Sequence, residues 1–163
     1  SEYPAQALVS STTHDLPTLA GFWQARDIEA RREAGVLPDG EPYRNALAQR
    51  RHEKQKILDS LFRLGLLPDY VPRSADKLPE LTGELHNAIT GYMASTPSML
   101  FALNQEDLTK ETEQQNLPGT TAQYPNWRRK MRYPLEDLES SQTVRDFARM
   151  FRNWLGKTGR LES

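Results

Sequence analysis

The sequence has 163 residues, of which 37% are hydrophobic and 26% charged, and its formal net charge at pH 7 is −1. This length and composition are typical of one globular domain over residues 1–163, and the balanced charge argues against nucleic acid or an anionic membrane as a partner. The absence of cysteine excludes disulfides and thiolate metal sites and fits a cytoplasmic protein.

Two short apolar runs predict buried strands. Ala7–Ser11 and Met99–Leu103 are too short for helices and fit strands that are covered on both faces, as in a parallel sheet. Met99–Leu103 is also the longest wholly apolar run, far below the roughly 20 residues that span a membrane. No membrane partner is therefore expected.

Helical periodicity dominates the rest of the chain. One helix is expected to begin near Pro17 and to continue through Ile28. The charged stretch Arg50–Lys56 is interpreted as the solvated face of a second helix. The other predicted helices cover residues 43–64, 81–93 and 141–155, which are spaced by turn residues.

The order of strand, helices, strand, long loop and helix predicts an α/β fold with parallel strands. Two parallel strands cannot form an independent covered sheet or close a barrel. The chain is therefore expected to be part of a larger α/β fold and to be mainly helical in isolation.

Polar residues follow each predicted strand. His14 and Asp15 follow the first, at the edge where (β/α) barrels carry their active sites, although Asp15 could simply cap the next helix. Asn104–Asp107 follows the second and could bind sugar hydroxyls or supply a helix cap with an acidic first turn. His52 and His86 fall in no metal-ligand pattern, so no metal site is predicted.

The polar stretch from Gln114 to Arg132 combines a Pro-Gly turn, amides and an aromatic residue beside a short basic cluster. Amide and aromatic groups suit sugars, and aromatic-basic interleaving can also bind single-stranded nucleic acid, which the neutral chain argues against. The alternative is a loop pinned into the core by Trp127, with its arginines in salt bridges. We favour this role of a core anchor for Trp127.

Three segments together resemble the bacterial 4-α-glucanotransferases (amylomaltases, glycoside hydrolase family 77). Ser11–Thr18, followed by Gly21-Phe22-Trp23, is similar to the segment that carries the third acidic residue of that family. Leu103–Asp107 and Asn116–Lys130 resemble the family's closing segment, in the same order. The similarity covers nearly the whole chain, and Asn116–Lys130 is its most specific part.

The resemblance implies a fold and an activity. The family has a (β/α)₈ TIM barrel, of which residues 1–163 would form the C-terminal part, about the last two βα units. It transfers α-1,4-glucan segments between maltooligosaccharides with retention, through a glycosyl-enzyme intermediate and without a cofactor. By resemblance, Asp15 is the carboxylate that stabilises the transition state, His14 binds the same sugar, and Asn116 and Gly119 lie near the donor site.

The resemblance also places the nucleophile and the acid/base in segments upstream of this chain, so no turnover is expected from the chain alone. Two alternatives stay open: the parent could hydrolyse glucans with the same carboxylates, or the chain could be a non-catalytic helical binding or interaction domain. Strands cut from a barrel expose edges and apolar faces, and we therefore expect the chain to self-associate.

Overall fold

Helices are the main regular secondary structure of the chain, as predicted, and two short strands lie among them. The computed structural model describes residues 3–161. Within that range the elements are β1 (Leu8–Ser10), α1 (Leu19–Gln24), α2 (Arg26–Glu33), α3 (Glu41–Arg63), α4 (Gly83–Ala94), β2 (Leu100–Ala102), α5 (Gln105–Thr109), α6 (Leu135–Ser140) and α7 (Gln142–Lys157). A 3-10 turn at Ala75–Lys77 lies between α3 and α4.

The two strands pair in parallel, as the order of elements predicts. Leu8 stands opposite Leu100 and Ser10 opposite Ala102. Because parallel strands end at the same edge of a sheet, the segment after β1 and the segment after β2 lie side by side. The fold thus brings together residues that are more than ninety positions apart in sequence.

The expectation that both strands are buried on both faces is wrong for this chain. Leu8 and Leu100 are each 58% exposed, and Met99 is 67% exposed. The reason is that the sheet holds only two strands within residues 3–161, so each strand has one unpaired edge and a partly bare face.

The helix expected near residues 17–28 is broken into α1 and α2. Ala25 adopts a left-handed backbone conformation with φ of 60° and ends α1. The cap of α1 is Thr18, whose hydroxyl accepts a hydrogen bond from the Gly21 amide at 2.9 Å. Asp15 therefore does not cap this helix, and the structural alternative for its carboxylate is wrong.

Arg50 does not lie on a solvated face either. It is 8% exposed, and its guanidinium donates to both carboxylate oxygens of Asp27 at 2.7 and 2.8 Å. The guanidinium also stacks over the ring of Phe22 at 4.0 Å. The bidentate pair neutralises a buried cation and ties α3 to α2, and the contact with Phe22 ties α3 to α1.

The main hydrophobic core lies between α1, α3, α4 and the connection that precedes α4. Its largest fully buried side chains include Trp23, Leu58 and Leu85. The Trp23 indole donates to the carbonyl of Leu78 at 2.8 Å, so the one polar group of this side chain is satisfied. This hydrogen bond fixes α1 in the core, and the loop after β1 leads directly into α1.

The last helix, α7, packs on α4 and β2 through its aromatic face. Phe147 lies 4.8 Å from the ring of His86, and Phe151 meets Phe101 edge to face at 5.3 Å. Burial, with a smaller contribution from Lys110, lowers the pKa of His86 to about 4. His86 is therefore a neutral packing residue at pH 7.

No helix within residues 3–161 is long and apolar enough to span a membrane. The same residues contain no group of three or more His, Cys, Asp or Glu side chains that could hold a metal ion.

A glycine in α4 makes room for α7. A Cβ atom added to Gly91 would lie 2.4 Å from the ring of Trp154, whose indole donates to Asn87 at 2.8 Å. We expect Gly91→Ala to lower the free energy of unfolding by about 1–3 kcal/mol, because the clash must displace the indole. Urea unfolding followed by tryptophan fluorescence measures the loss.

Gly156→Ala is the matched control, since open space surrounds that helical glycine and the change should be neutral or stabilising. Equal stability of Gly91→Ala and wild type would contradict this packing.

Candidate functional site

The loop that carries His14 and Asp15 is held in a compact form by its own polar groups. The Thr12 hydroxyl donates to the carbonyl of Pro17 at 2.6 Å, and the Leu16 amide donates to the carbonyl of Thr13 at 3.1 Å. From the neighbouring segment, the Asn104 amide donates to the carbonyl of Thr12 at 2.7 Å. Parallel pairing of the strands is what brings Asn104 within reach.

Asp15 is the centre of a small polar cluster. The Asn116 side-chain amide, 101 residues away in sequence, donates to Asp15 Oδ1 at 2.6 Å. His14 Nε2 lies 3.1 Å from Asp15 Oδ2, and the two side chains are 59% and 48% exposed. The cluster therefore presents a carboxylate, an imidazole and an amide on an open surface at the carboxyl ends of β1 and β2.

The segment that supplies Asn116 is anchored on both sides of it. Leu117 is 2% exposed, and its amide donates to Asn126 Oδ1 at 2.8 Å. The Tyr124 hydroxyl donates to the carbonyl of Gln114 at 2.7 Å, and Tyr124 packs with Leu117 and Ala30 in a small second core. This long polar stretch has no regular secondary structure but is fixed by buried contacts.

Gly119 lies in the turn that follows Leu117, where the Thr120 amide donates to the carbonyl of Leu117 at 3.2 Å. Its φ of 82° is a conformation that side chains other than glycine rarely adopt. Among residues 3–161, no hydrogen bond joins Gly119 to His14, Asp15 or Asn116. The structure thus brings three of the four predicted site residues together and gives Gly119 a conformational part in the turn.

The expectation that Trp127 anchors the loop in the core is wrong. Trp127 is 62% exposed and lies beside the cluster, with its ring centroid 5.4 Å from that of His14. Its backbone is held at φ of 58° and its amide donates to the carbonyl of Gln115 at 2.9 Å. Left-handed backbone is unusual for a bulky residue and is found mainly at sites where the surroundings enforce it. The loop is pinned instead by Leu117 and Tyr124.

Among the arginines beside Trp127, Arg129 forms the expected salt bridge. Arg129 donates to Glu113 Oε2 at 3.0 Å, and the other oxygen of Glu113 accepts from Arg26. The Arg129 guanidinium also lies over the ring of Tyr124 at 5.0 Å. Glu113 therefore joins α2 to the segment that carries Asn116.

Asn104–Asp107 begins a helix, which is one of the two alternatives that the sequence predicts for this segment. Asn104 occupies the N-cap position of α5, with Glu106 and Asp107 in the first turn. Glu106 accepts from the Gln115 side chain at 3.0 Å, and Asp107 is only 2% exposed. The contacts of Asp107 with the loop of Asp15 were not predicted, because nothing in the local sequence separates a buried first-turn aspartate from an exposed one.

The chain matches a family model over residues 1–136, and that model describes 4-alpha-glucanotransferase. The chain belongs to the 4-alpha-glucanotransferase family. It is 34% identical to a 4-alpha-glucanotransferase of Haemophilus influenzae over 147 residues, which are 90% of this chain and 21% of that protein. It is 35% identical to one of Mycobacterium tuberculosis over 121 residues, which are 74% of this chain and 16% of that protein.

A solved structure is also similar. The crystal structure of amylomaltase from Corynebacterium glutamicum matches with a TM-score of 0.78 and 31% identity, covering 92% of this chain and 22% of that one. The chain thus spans about a fifth of the length of these members of the 4-alpha-glucanotransferase family.

The exposure of Trp127 beside the cluster of His14, Asp15 and Asn116 can be tested by fluorescence. We expect Trp127→Phe to remove most of the emission that iodide quenches, because Trp23 is 1% exposed and Trp154 is half-buried. Trp154→Phe is the matched control and should leave most of the quenching in place. Strong quenching that persists in Trp127→Phe would show that the indole is covered.

Proposed function

We propose that this chain is the C-terminal part of a 4-α-glucanotransferase, contributing about the last two βα units of a TIM barrel. The parent enzyme transfers α-1,4-glucan segments between maltooligosaccharides with retention, through a glycosyl-enzyme intermediate. The observation that carries the proposal is the Asp15 carboxylate, held by Asn116 at the carboxyl ends of two parallel strands in a chain of this family. In barrel enzymes that edge carries the active site.

Asp15 would stabilise the transition state through its charge. Cleavage of a glycosidic bond passes through an oxocarbenium-like state, which carries positive charge on the sugar ring. A carboxylate that is already oriented when the charge develops stabilises that state without having to reorganise. The hydrogen bond from Asn116 supplies such orientation, since it fixes one oxygen and leaves the carboxylate open to the surface.

The neighbours of Asp15 would bind the donor sugar. His14 and Asn116 each keep hydrogen-bonding capacity beyond their contacts with Asp15, and sugar hydroxyls can both donate and accept. Gly119 would act more remotely, by allowing the turn that sets the direction of Asn116.

A retaining mechanism needs two further carboxyl groups, a nucleophile and an acid/base about 5–5.5 Å apart. We assign neither part to Glu106 or Asp107, because one accepts from Gln115 and the other is buried. Both groups would come from upstream segments of the parent, and the 163-residue chain alone would then turn over no glucan.

The proposal predicts the effect of removing one charge. We expect Asp15→Asn in the parent enzyme to lower transfer by at least about a hundredfold, because an oriented charge at the reacting centre is lost. Release of glucose and of longer maltodextrins from maltotriose measures transfer, and release without longer products would indicate hydrolysis instead.

Asp69→Asn is the matched control, since the Asp69 side chain is 99% exposed and lies outside the cluster. Thermal unfolding should be similar in wild type and both variants. Near-normal transfer by Asp15→Asn would refute the role assigned to Asp15, whereas absence of transfer in the wild-type parent would favour the alternative of a non-catalytic helical binding domain.

We further propose that the isolated chain self-associates. An apolar groove with a volume of about 980 Å³ runs along β1, and its lining includes Val9, Phe22, Ile57, Leu61 and Ile89. Leu8 lines the same groove and is 58% exposed at the unpaired edge of the two-stranded sheet. A second copy can cover this face by pairing at that edge, which removes both the open backbone groups and the bare apolar surface.

Light scattering over a range of concentrations tests self-association. We expect the mass of the isolated chain to rise with concentration and Leu8→Glu to lower it towards the monomer, because a charge would be placed in the groove. Leu135→Glu is the matched control at another exposed leucine, 75% exposed on α6. A monomer at all concentrations, or an equal effect of both substitutions, would contradict this docking face.

A further inference from the structure

The loop that carries Asp15 is closed at both ends by one buried carboxylate. Asp107, in the first turn of α5, is 2% exposed. The Ser11 hydroxyl, at the start of the loop, donates to Asp107 Oδ2. The Leu19 amide, just past the end of the loop, donates to Asp107 Oδ1 at 2.7 Å. The carboxylate therefore fixes the separation and the direction of the two ends of the loop.

The Ser11 hydroxyl and the Leu19 amide supply the hydrogen bonds that the buried Asp107 carboxylate needs. Burial raises the pKa of the Asp107 carboxyl, and the hydrogen bonds from Ser11 and Leu19 act in the opposite direction. Among residues 3–161, no lysine or arginine forms an ion pair with it. A carboxylate buried without a cation is costly unless its oxygens are hydrogen-bonded. Here the required donors are the two ends of a single loop.

Other groups of the same segment support the loop between these ends. Asn104 donates to the carbonyl of Thr12, and the Thr18 hydroxyl donates to the carbonyl of Glu111. Each of these two hydrogen bonds holds a single residue, whereas Asp107 binds the residues at both ends of the loop. Among residues 3–161, no hydrogen bond or ion pair joins Asp107 to His14 or Asp15, so any effect on a sugar must pass through the loop.

We propose that Asp107 is a positioning residue, which sets the place and direction of the Asp15 carboxylate by closing its loop. The inference rests on the proposed function of Asp15. A charge that stabilises a transition state must lie in the right place at the moment of reaction, and a displacement of about 1 Å can cost about a hundredfold in rate. A loosened loop should therefore affect kcat more than KM.

Two substitutions of Asp107 in the parent enzyme separate geometry from charge. In Asp107→Asn, the amide oxygen can accept from Leu19 and the amide nitrogen can donate to the Ser11 hydroxyl, so the clamp is kept without the charge. In Asp107→Leu, the number and branching of the side-chain heavy atoms are kept and both hydrogen bonds are lost. We expect kcat for maltotriose to fall about tenfold to a hundredfold in Asp107→Leu, with KM changed little, and to be largely restored in Asp107→Asn.

The controls distinguish positioning from stability. Asp69→Leu, at a fully exposed aspartate, should keep the wild-type kcat. Thermal unfolding of each variant gives the fraction of folded enzyme, to which kcat is normalised. If Asp107→Leu does not fold, Ser11→Ala removes one end of the clamp and should lower kcat by a smaller factor.

Two results would overturn the inference. One is a wild-type kcat per folded molecule in Asp107→Leu or, if that variant does not fold, in Ser11→Ala, which would make Asp107 a residue of stability alone. The other is an equal loss in Asp107→Asn and Asp107→Leu, which would mean that the charge itself is needed. Either result together with an inactive Asp15→Asn variant leaves the proposed function in place. Full activity of Asp15→Asn would instead remove the proposed role of Asp15, on which this inference rests.

Discussion

The parallel pairing of β1 with β2 is the constraint on which the candidate site depends. It places the loop of Asp15 beside α5, where Asn104 and Asp107 hold it. A one-residue slip in register would turn every side chain of the strand to the other face. A two-residue slip would keep the faces but move the loop roughly 7 Å along its support, beyond hydrogen-bond reach. The three residue pairs that join β1 to β2 therefore determine where Asp15 lies.

The helices between the strands give that loop a rigid base. A parallel crossover needs about a dozen residues, and this one is several times longer because α1 to α3 add a layer beside α4. Thr18 begins α1, and Trp23 fixes α1 in the core through its ring and through Leu78. The Arg50–Asp27 pair then ties α3 to the same layer. The far end of the Asp15 loop is thus continuous with the best-packed part of the chain.

Local sequence patterns predicted the helices and strands, whose positions follow from hydrophobic periodicity. They failed where contacts between distant segments determine the position of a side chain. The helical spacing of α3, α4 and α7 and the two apolar strand runs were recovered to within a few residues. The break at Ala25 was missed, because neither glycine nor proline marks it. Trp127 was misplaced because an aromatic residue in a loop usually packs inward, although the basic residues that follow it in sequence are a signal of a surface. Asp107 was missed because its partners are 88 and 96 residues away.

The exposure of Asp15 indicates what the proposed reaction would need from the rest of the parent besides a nucleophile and an acid/base. Its side chain is 48% exposed, so water screens its field on any sugar that binds this chain alone. Two unit charges 4 Å apart interact by about 1 kcal/mol in bulk water and by about 4 kcal/mol where the effective dielectric constant is near 20. The hydrogen bond from Asn116 provides orientation, but orientation in water gives little stabilisation. Under the proposed function, the rest of the barrel must therefore exclude water from Asp15 as well as supply the nucleophile and the acid/base.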